Sequence, residues 1–212
     1  RACTGRLAGF DPVALTSIQE GLAFWINLYN ALILDAVITF GIRGSIREDL
    51  GFFRRAAYLV GRRRYSADDI EHGILRANRR HFHPAIPFPQ FAPDDPRLRY
   101  CLPRVDPRIH CALVCASRSC PPFAAFESDR LDQQLDAASW SFVNGGAVAL
   151  GEDGSSLRLS RIFRWYRRDF GGEHGVRDFL LRYLKPGTAR DLLQAGGSPI
   201  EYQPYDWSLN AA

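Results

Sequence analysis

A chain of 212 residues, 46% of them hydrophobic, is long enough for one domain or a domain with a small lobe. It buries roughly 70% of its unfolded surface and needs no metal or disulfide staple to fold. Its net charge of +4 comes from 27 basic and 23 acidic side chains, Lys185 being the one lysine. The arginine clusters are scattered among acids rather than striped along one face, which excludes a nucleic-acid footprint and fits a solvated surface.

Residues 1–15 read as an irregular lead-in. Ser17 and Glu20 form a capping box, and a long helix follows to about Phe40. Its apolar residues Ile18, Leu22, Trp25, Tyr29, Leu32, Ala36 and Phe40 keep a 3.6 period. Phe24, Leu28 and Ile33 make the other side apolar too, as in a buried helix. No apolar run reaches the roughly 18 residues of a membrane span. Gly21 to Phe40 comes close, but Asn27, Asn30 and Asp35 interrupt it, so no transmembrane segment is expected.

Residues 46–53 read as a short helix or turn. Residues 56–61 predict a strand that returns across Arg62, Arg63 and Arg64 through Tyr65. Ser66 caps a second helix, from Ala67 to about Arg79. Seven prolines between 84 and 107 predict a long surface excursion. Ile109 to Cys115 reads as a buried strand, and Asp129 to Val143 as a third helix. Ala147–Leu150 and Leu157–Leu159 predict a hairpin across Glu152, Asp153 and Gly154. Ser160 caps a helix to Phe170, another runs from Val176 to Leu184, and Ile200–Tyr205 reads as a last strand. The mixture has no regular βαβ alternation. It predicts an α+β fold, a buried central helix packed on a small, mostly antiparallel sheet.

The chemistry-bearing residues gather between Asp106 and Pro122. On a strand, His110 is the one polar group on its face. Cys111 and Cys115 share the other face about 13 Å apart, beyond the roughly 7 Å limit for a bridge. A turn brings Cys115 and Cys120 within reach of each other. Arg118 lies nearby and would lower a thiol pKa. Three readings stand side by side: a Cys120 thiolate with His110 as its base, a buried structural cysteine pair, and a redox dithiol of Cys115 and Cys120. His72, His81 and His83 with the cysteines supply zinc-ligand types, but no C-x-x-C or H-E-x-x-H spacing is present. No metal and no cofactor is expected. Asn27 and Asn30 need partners on an apolar helix. They either tie it to backbone or donate to a developing oxyanion.

Six blocks then stand in order: Ala23-Phe-Trp-Ile-Asn-Leu-Tyr-Asn-Ala31, Asp69-Ile-Glu-His-Gly-Ile-Leu-Arg76, Asp106-Pro-Arg-Ile-His110, Cys115-Ala-Ser-Arg-Ser-Cys-Pro121, Trp165-Tyr-Arg-Arg-Asp-Phe170 and Tyr205-Asp-Trp-Ser-Leu-Asn210. Together they resemble the domain of unknown function 547 family, over residues 17–210. The resemblance brings no established reaction. Members occur alone in bacteria, and in plants and animals they occur fused to other modules, glutaredoxin-like ones among them. This implies an extracytoplasmic bacterial setting and a thiol-linked role by association. The chain opens on Arg1 and has no methionine, so a trimmed product whose missing N-terminus carried a periplasmic or secretory signal is the matching expectation.

The match carries over onto Trp25, Asn27, Tyr29, Asn30, Glu71, His110, Cys115, Cys120, Asp206 and Asn210. Cys111 is discounted, and Cys3 and Cys101 fall outside the blocks. A weaker similarity is to papain-like cysteine peptidases, with a buried helix, a histidine and then an orienting Asn or Asp in that order. The departure is that the first helix holds no cysteine. The first functional expectation is a cysteine hydrolase or acyl/thiol transferase. In it Cys120 attacks, His110 is the base, Asp206 or Asn210 orients the ring, and Asn27 or Asn30 holds the developing charge. Glu71, Trp25, Tyr29 and Arg118 would bind a small-molecule or peptide substrate. The alternatives are a non-catalytic ligand- or protein-binding domain, and a thiol redox module. Neither the substrate nor the oligomeric state is readable.

Overall fold

Helix α1, Ile18–Thr39, organises the molecule, and its start is fixed locally. Ser17 accepts from the Glu20 amide at 3.1 Å while the Glu20 carboxylate accepts from the Ser17 amide at 3.0 Å. Gly41, at φ +67°, follows its last turn. Trp25, Ile26, Tyr29, Leu32 and Ile33 are buried almost completely. The computed structural model describes residues 4–81 and 88–210. His83, Pro84, Pro87 and Cys3 lie outside the described residues. One 18-residue window of α1 has mean hydropathy 1.6 and is 61% buried inside the protein. By length and composition α1 therefore does reach what a membrane span requires, contrary to the sequence expectation, because three polar residues do not outweigh its long aliphatic side chains. Its burial is that of a core helix.

The first hairpin pairs β1, Ala57–Val60, with β2, Arg63–Ser66. Val60 opposes Arg63, so the loop is the two residues Gly61 and Arg62 rather than the three arginines. Both have positive φ, 54° and 65°, as a type I′ turn requires. Trp25 of α1 packs on Tyr65 of β2, ring centroids 5.0 Å apart.

Ser66 then caps the next segment as read from sequence, exchanging side-chain bonds with Asp69. The helix it starts, however, is a π-helix, Asp69–Leu75. The Arg76 amide donates to the Glu71 carbonyl and the Asn78 amide to the Gly73 carbonyl, five residues apart. Ala77 and Asn78, at φ +52° and +54°, end it short of Arg79.

Residues 109–115 form no strand. Asp106 accepts from the Arg108 amide and Pro107 takes the first helical position, so Pro107–Cys111 turns as a 3-10 helix. An Asp-Pro pair is an N-cap followed by a residue already fixed for the first turn. The buried chain that follows has no ladder, and Asn30 substitutes for one. Its amide donates to the Ala112 carbonyl and accepts from the Val114 amide, both at 3.0 Å. Asn27 clamps the Phe126 backbone in the same way.

The second half contains α2, Leu131–Phe142, then a second π turn, Val143–Ala147. Strand β3, Val148–Leu150, pairs antiparallel with β4, Leu157–Leu159, as the hairpin signal predicts. β4 also pairs in parallel with β5, Ile200–Tyr202. Between them run α3, Arg161–Trp165, α4, Gly172–Tyr183, and α5, Thr188–Ala195. The architecture is α+β, with a two-stranded and a three-stranded sheet. Two apolar clusters result. One is built around α1 and the first hairpin, the other around Phe163, Phe170, Phe179 and Leu180.

Candidate functional site

A cavity of about 190 Å³ opens between the two clusters. The π-helix contributes Glu71 and His72 and its N-cap is Asp68, α1 contributes Tyr29, and the 3-10 turn contributes His110. The chain after that turn contributes Cys115 and Cys120; the second cluster and the C-terminal tail add Trp165, Tyr166, Tyr205 and Trp207. The tail reaches the site because its backbone pairs with the loop carrying the cysteines. The Arg118 amide donates to Ser208, and Ser117 bridges Leu209.

Cys115 and Cys120 are joined by a disulfide, Cα atoms 6.1 Å apart. Both are half-buried. The Cys115 amide donates to Cys120 Sγ at 2.8 Å. The Tyr205 hydroxyl lies 3.2 Å from Cys115 Sγ and 3.4 Å from Cys120 Sγ, and Ser117 Oγ is 3.0 Å from Cys115 Sγ. Burial pushes the Tyr205 hydroxyl up to about 12, so it stays a neutral donor. Cys101 and Cys111 are free.

His110 does not meet the sulfurs through its Nε2, which lies 3.0 Å from Asp169 Oδ2. A carboxylate accepts, so Nε2 carries the proton and the lone pair is on Nδ1. Burial lowers the His110 pKa and the Asp169 hydrogen bond only partly opposes it. The ring stacks on Tyr166, centroids 3.9 Å apart. Asp169 also accepts from Arg76 Nε at 2.5 Å and from Arg79 at 3.2 Å. Burial would raise its pKa, but hydrogen bonds from His110 and Arg76 outweigh that and hold it well below the usual carboxylate range.

Glu71 is buried and receives two phenol hydrogen bonds, from Tyr29 at 3.0 Å and Tyr166 at 2.5 Å. Burial works against its charge, yet the His72 ring, the Tyr166 hydroxyl and Arg76 prevail and keep it below its ordinary value. Burial, foremost, drives His72 down to about 3. Arg76 can only donate, so the 2.8 Å contact to His72 Nδ1 fixes the proton on Nε2. Asp68 is raised to about 7, by burial first and then by Glu71 and Asp69.

The structure therefore brings together Cys115, Cys120, His110, Glu71, His72, His81 and Tyr29 of the residues singled out from sequence. It places the others elsewhere. Asn27 and Asn30 are backbone clamps, Trp25 is sealed in the core at 1% exposure, and Arg118 lines a neighbouring cavity that shares only Cys120 and Tyr205 with this one. Asp206 is exposed and accepts from Ser208, so the acid that holds His110 is Asp169, neither Asp206 nor Asn210. Asp169, Arg76 and Tyr166 stood in the quoted blocks without being singled out. Among the described residues, no three His, Cys, Asp or Glu side chains group as metal ligands.

Residues 13–143 match the model of the family described as "Protein of unknown function, DUF547", and the chain belongs to that family. No curated protein and no solved structure matches it.

Proposed function

We propose that this domain is a thiol–disulfide exchange module with Cys115 and Cys120 as its redox pair. The observation that carries the reading is the Cys115–Cys120 bridge on the wall of a cavity that also presents a neutral histidine and a phenol. A thiolate from a substrate attacks Cys115 Sγ. A new S–S bond forms, the Cys115–Cys120 bond breaks, and Cys120 leaves with the electron pair. The Cys115 amide and the Tyr205 hydroxyl face that sulfur, and hydrogen bonds to a thiolate lower its basicity. His110, with its Nδ1 lone pair free of the Asp169 bond, takes the incoming thiol's proton. A second substrate thiol then attacks the mixed disulfide, which releases an oxidised substrate and leaves Cys115 and Cys120 reduced. A disulfide of another molecule must reoxidise the pair.

The hydrolase or acyl-transferase reading has less support. It needs Cys120 as a free thiolate, whereas Cys120 is bridged to Cys115. Equilibration in thiol–disulfide buffers, followed by alkylation and mass spectrometry, tests the proposal. A reversible two-electron transition above about −300 mV is expected of an exchanging pair. A bridge that stays closed below that potential, or cysteines found only as thiols, would sink it.

A further inference from the structure

We infer that the cavity in front of the disulfide selects a thiol partner carrying an ammonium group, that is, a small aminothiol or its disulfide. The thiol half of this inference rests on the exchange reading above, while the ammonium half stands on the cavity walls alone. Glu71 presents a carboxylate there, and its two bonded partners, Tyr29 and Tyr166, are phenols that leave its charge in place. Among the described residues, no lysine or arginine lines the cavity. Arg76 sits beside it but is committed to Asp169, with its guanidinium 5.1 Å over Tyr166.

Part of the wall is aromatic. Trp165, Tyr205 and Trp207 lie in mutual contact, ring centroids 4.5 to 5.7 Å apart. Aromatic faces beside a carboxylate attract ammonium ions through the ring quadrupole. Trp207 already attracts a cation in this protein, since the Arg47 guanidinium lies 5.6 Å from its centroid. A volume of about 190 Å³ is slightly larger than the roughly 150 Å³ cavity that admits benzene. That fits an aminoalkyl thiol and excludes a folded peptide. An anionic thiol would be repelled by Glu71, and a neutral one would gain nothing from it.

Two measurements on the whole protein separate the halves. The first titrates the oxidised protein with n-butylammonium, n-butanol and butyrate, read by tryptophan fluorescence and calorimetry. Saturable binding of the ammonium alone is expected, weakened about tenfold, the scale of one desolvated cation–π contact, in Trp207→Leu and also weakened in Glu71→Gln. The second compares rates of disulfide opening by cysteamine, 2-mercaptoethanol and 3-mercaptopropionate, each divided by its rate with a free small disulfide. A preference for cysteamine of about tenfold is expected on the same scale, lost in Trp207→Leu even if Glu71→Gln does not fold. Ammonium binding without any thiol exchange would uphold the cation site and remove the exchange reading. Exchange with no preference for the cationic thiol, and no ammonium binding, would overturn this inference and leave the exchange reading intact.

Discussion

Asp169 gathers two guanidinium groups and a histidine at one buried carboxylate. It is buried at 7% exposure and is held by Arg76, Arg79 and His110. Removing one partner of a buried ion pair leaves the other uncompensated, so Asp169→Ala should cost about 3–5 kcal/mol in urea denaturation. Its depressed pKa means that its stabilisation is complete above the unfolded value of about 3.9 and is lost as pH falls below that. Acid unfolding should therefore be shallower in Asp169→Asn than in the parent chain. Asp68 has the opposite sign. Its folded pKa of about 7 lies above the unfolded one, so stability is fully present below about pH 4 and is lost as pH rises through 7. Asp68→Asn should raise the melting temperature at pH 8 and leave it nearly unchanged at pH 4. Equal shifts at both pH values would show that the carboxyl is not held protonated by its surroundings. Neither pairing is readable from the chain. His110 and Asp169 are 59 residues apart, and nothing in their spacing prefers Asp169 to Asp206. Only the packing of Tyr166 and Phe170 on the His110 ring brings the right acid there.

Elements were legible where neighbouring residues decide them. The capping box and the 3.6 period of α1, the hairpin of β3 and β4 and the Ser160 cap of α3 all depend on residues close in sequence. The π-helix does not, because its composition is that of an α-helix and the widened turn is set by what packs against it. Gly73 marks the place. A Cβ there would meet the Phe91 ring at 2.3 Å, so the ring seats directly on backbone. Gly73→Ala should cost on the order of 1–3 kcal/mol, as overpacking does, and should displace Glu71 and His72 from the cavity wall. Thermal melts together with tyrosine and tryptophan near-UV dichroism would detect both effects, and an unchanged melt would show that Phe91 has room to move. Ile109–Cys115 failed as a strand for a related reason. A short apolar run does not reveal whether its backbone finds a ladder, and here the partner is the side-chain amide of Asn30. The sequence carries little signal for α5, since Leu193 is its buried residue.

At the scale of the whole molecule the cavity is a seam. Glu71, His72, His110 and the two cysteines lie within the matched residues 13–143, whereas Tyr166, Asp169, Tyr205 and Trp207 lie beyond them and belong to the second half. The disulfide stands at this seam, yet it closes only a short loop, its cysteines five residues apart. In the chain-entropy view a loop that short is worth about 2 kcal/mol. For a chain of this length that is roughly 4–8 °C of melting temperature. Reduction should therefore lower the melting point by about that amount, while far-UV dichroism at 25 °C stays unchanged, because both apolar clusters persist without the bridge. A domain that cycles between dithiol and disulfide needs both states folded, and a small difference satisfies that need. If reduction instead unfolded the domain at 25 °C, the bridge would be a brace between the two halves, and exchange at Cys115 would open the fold rather than transfer electrons.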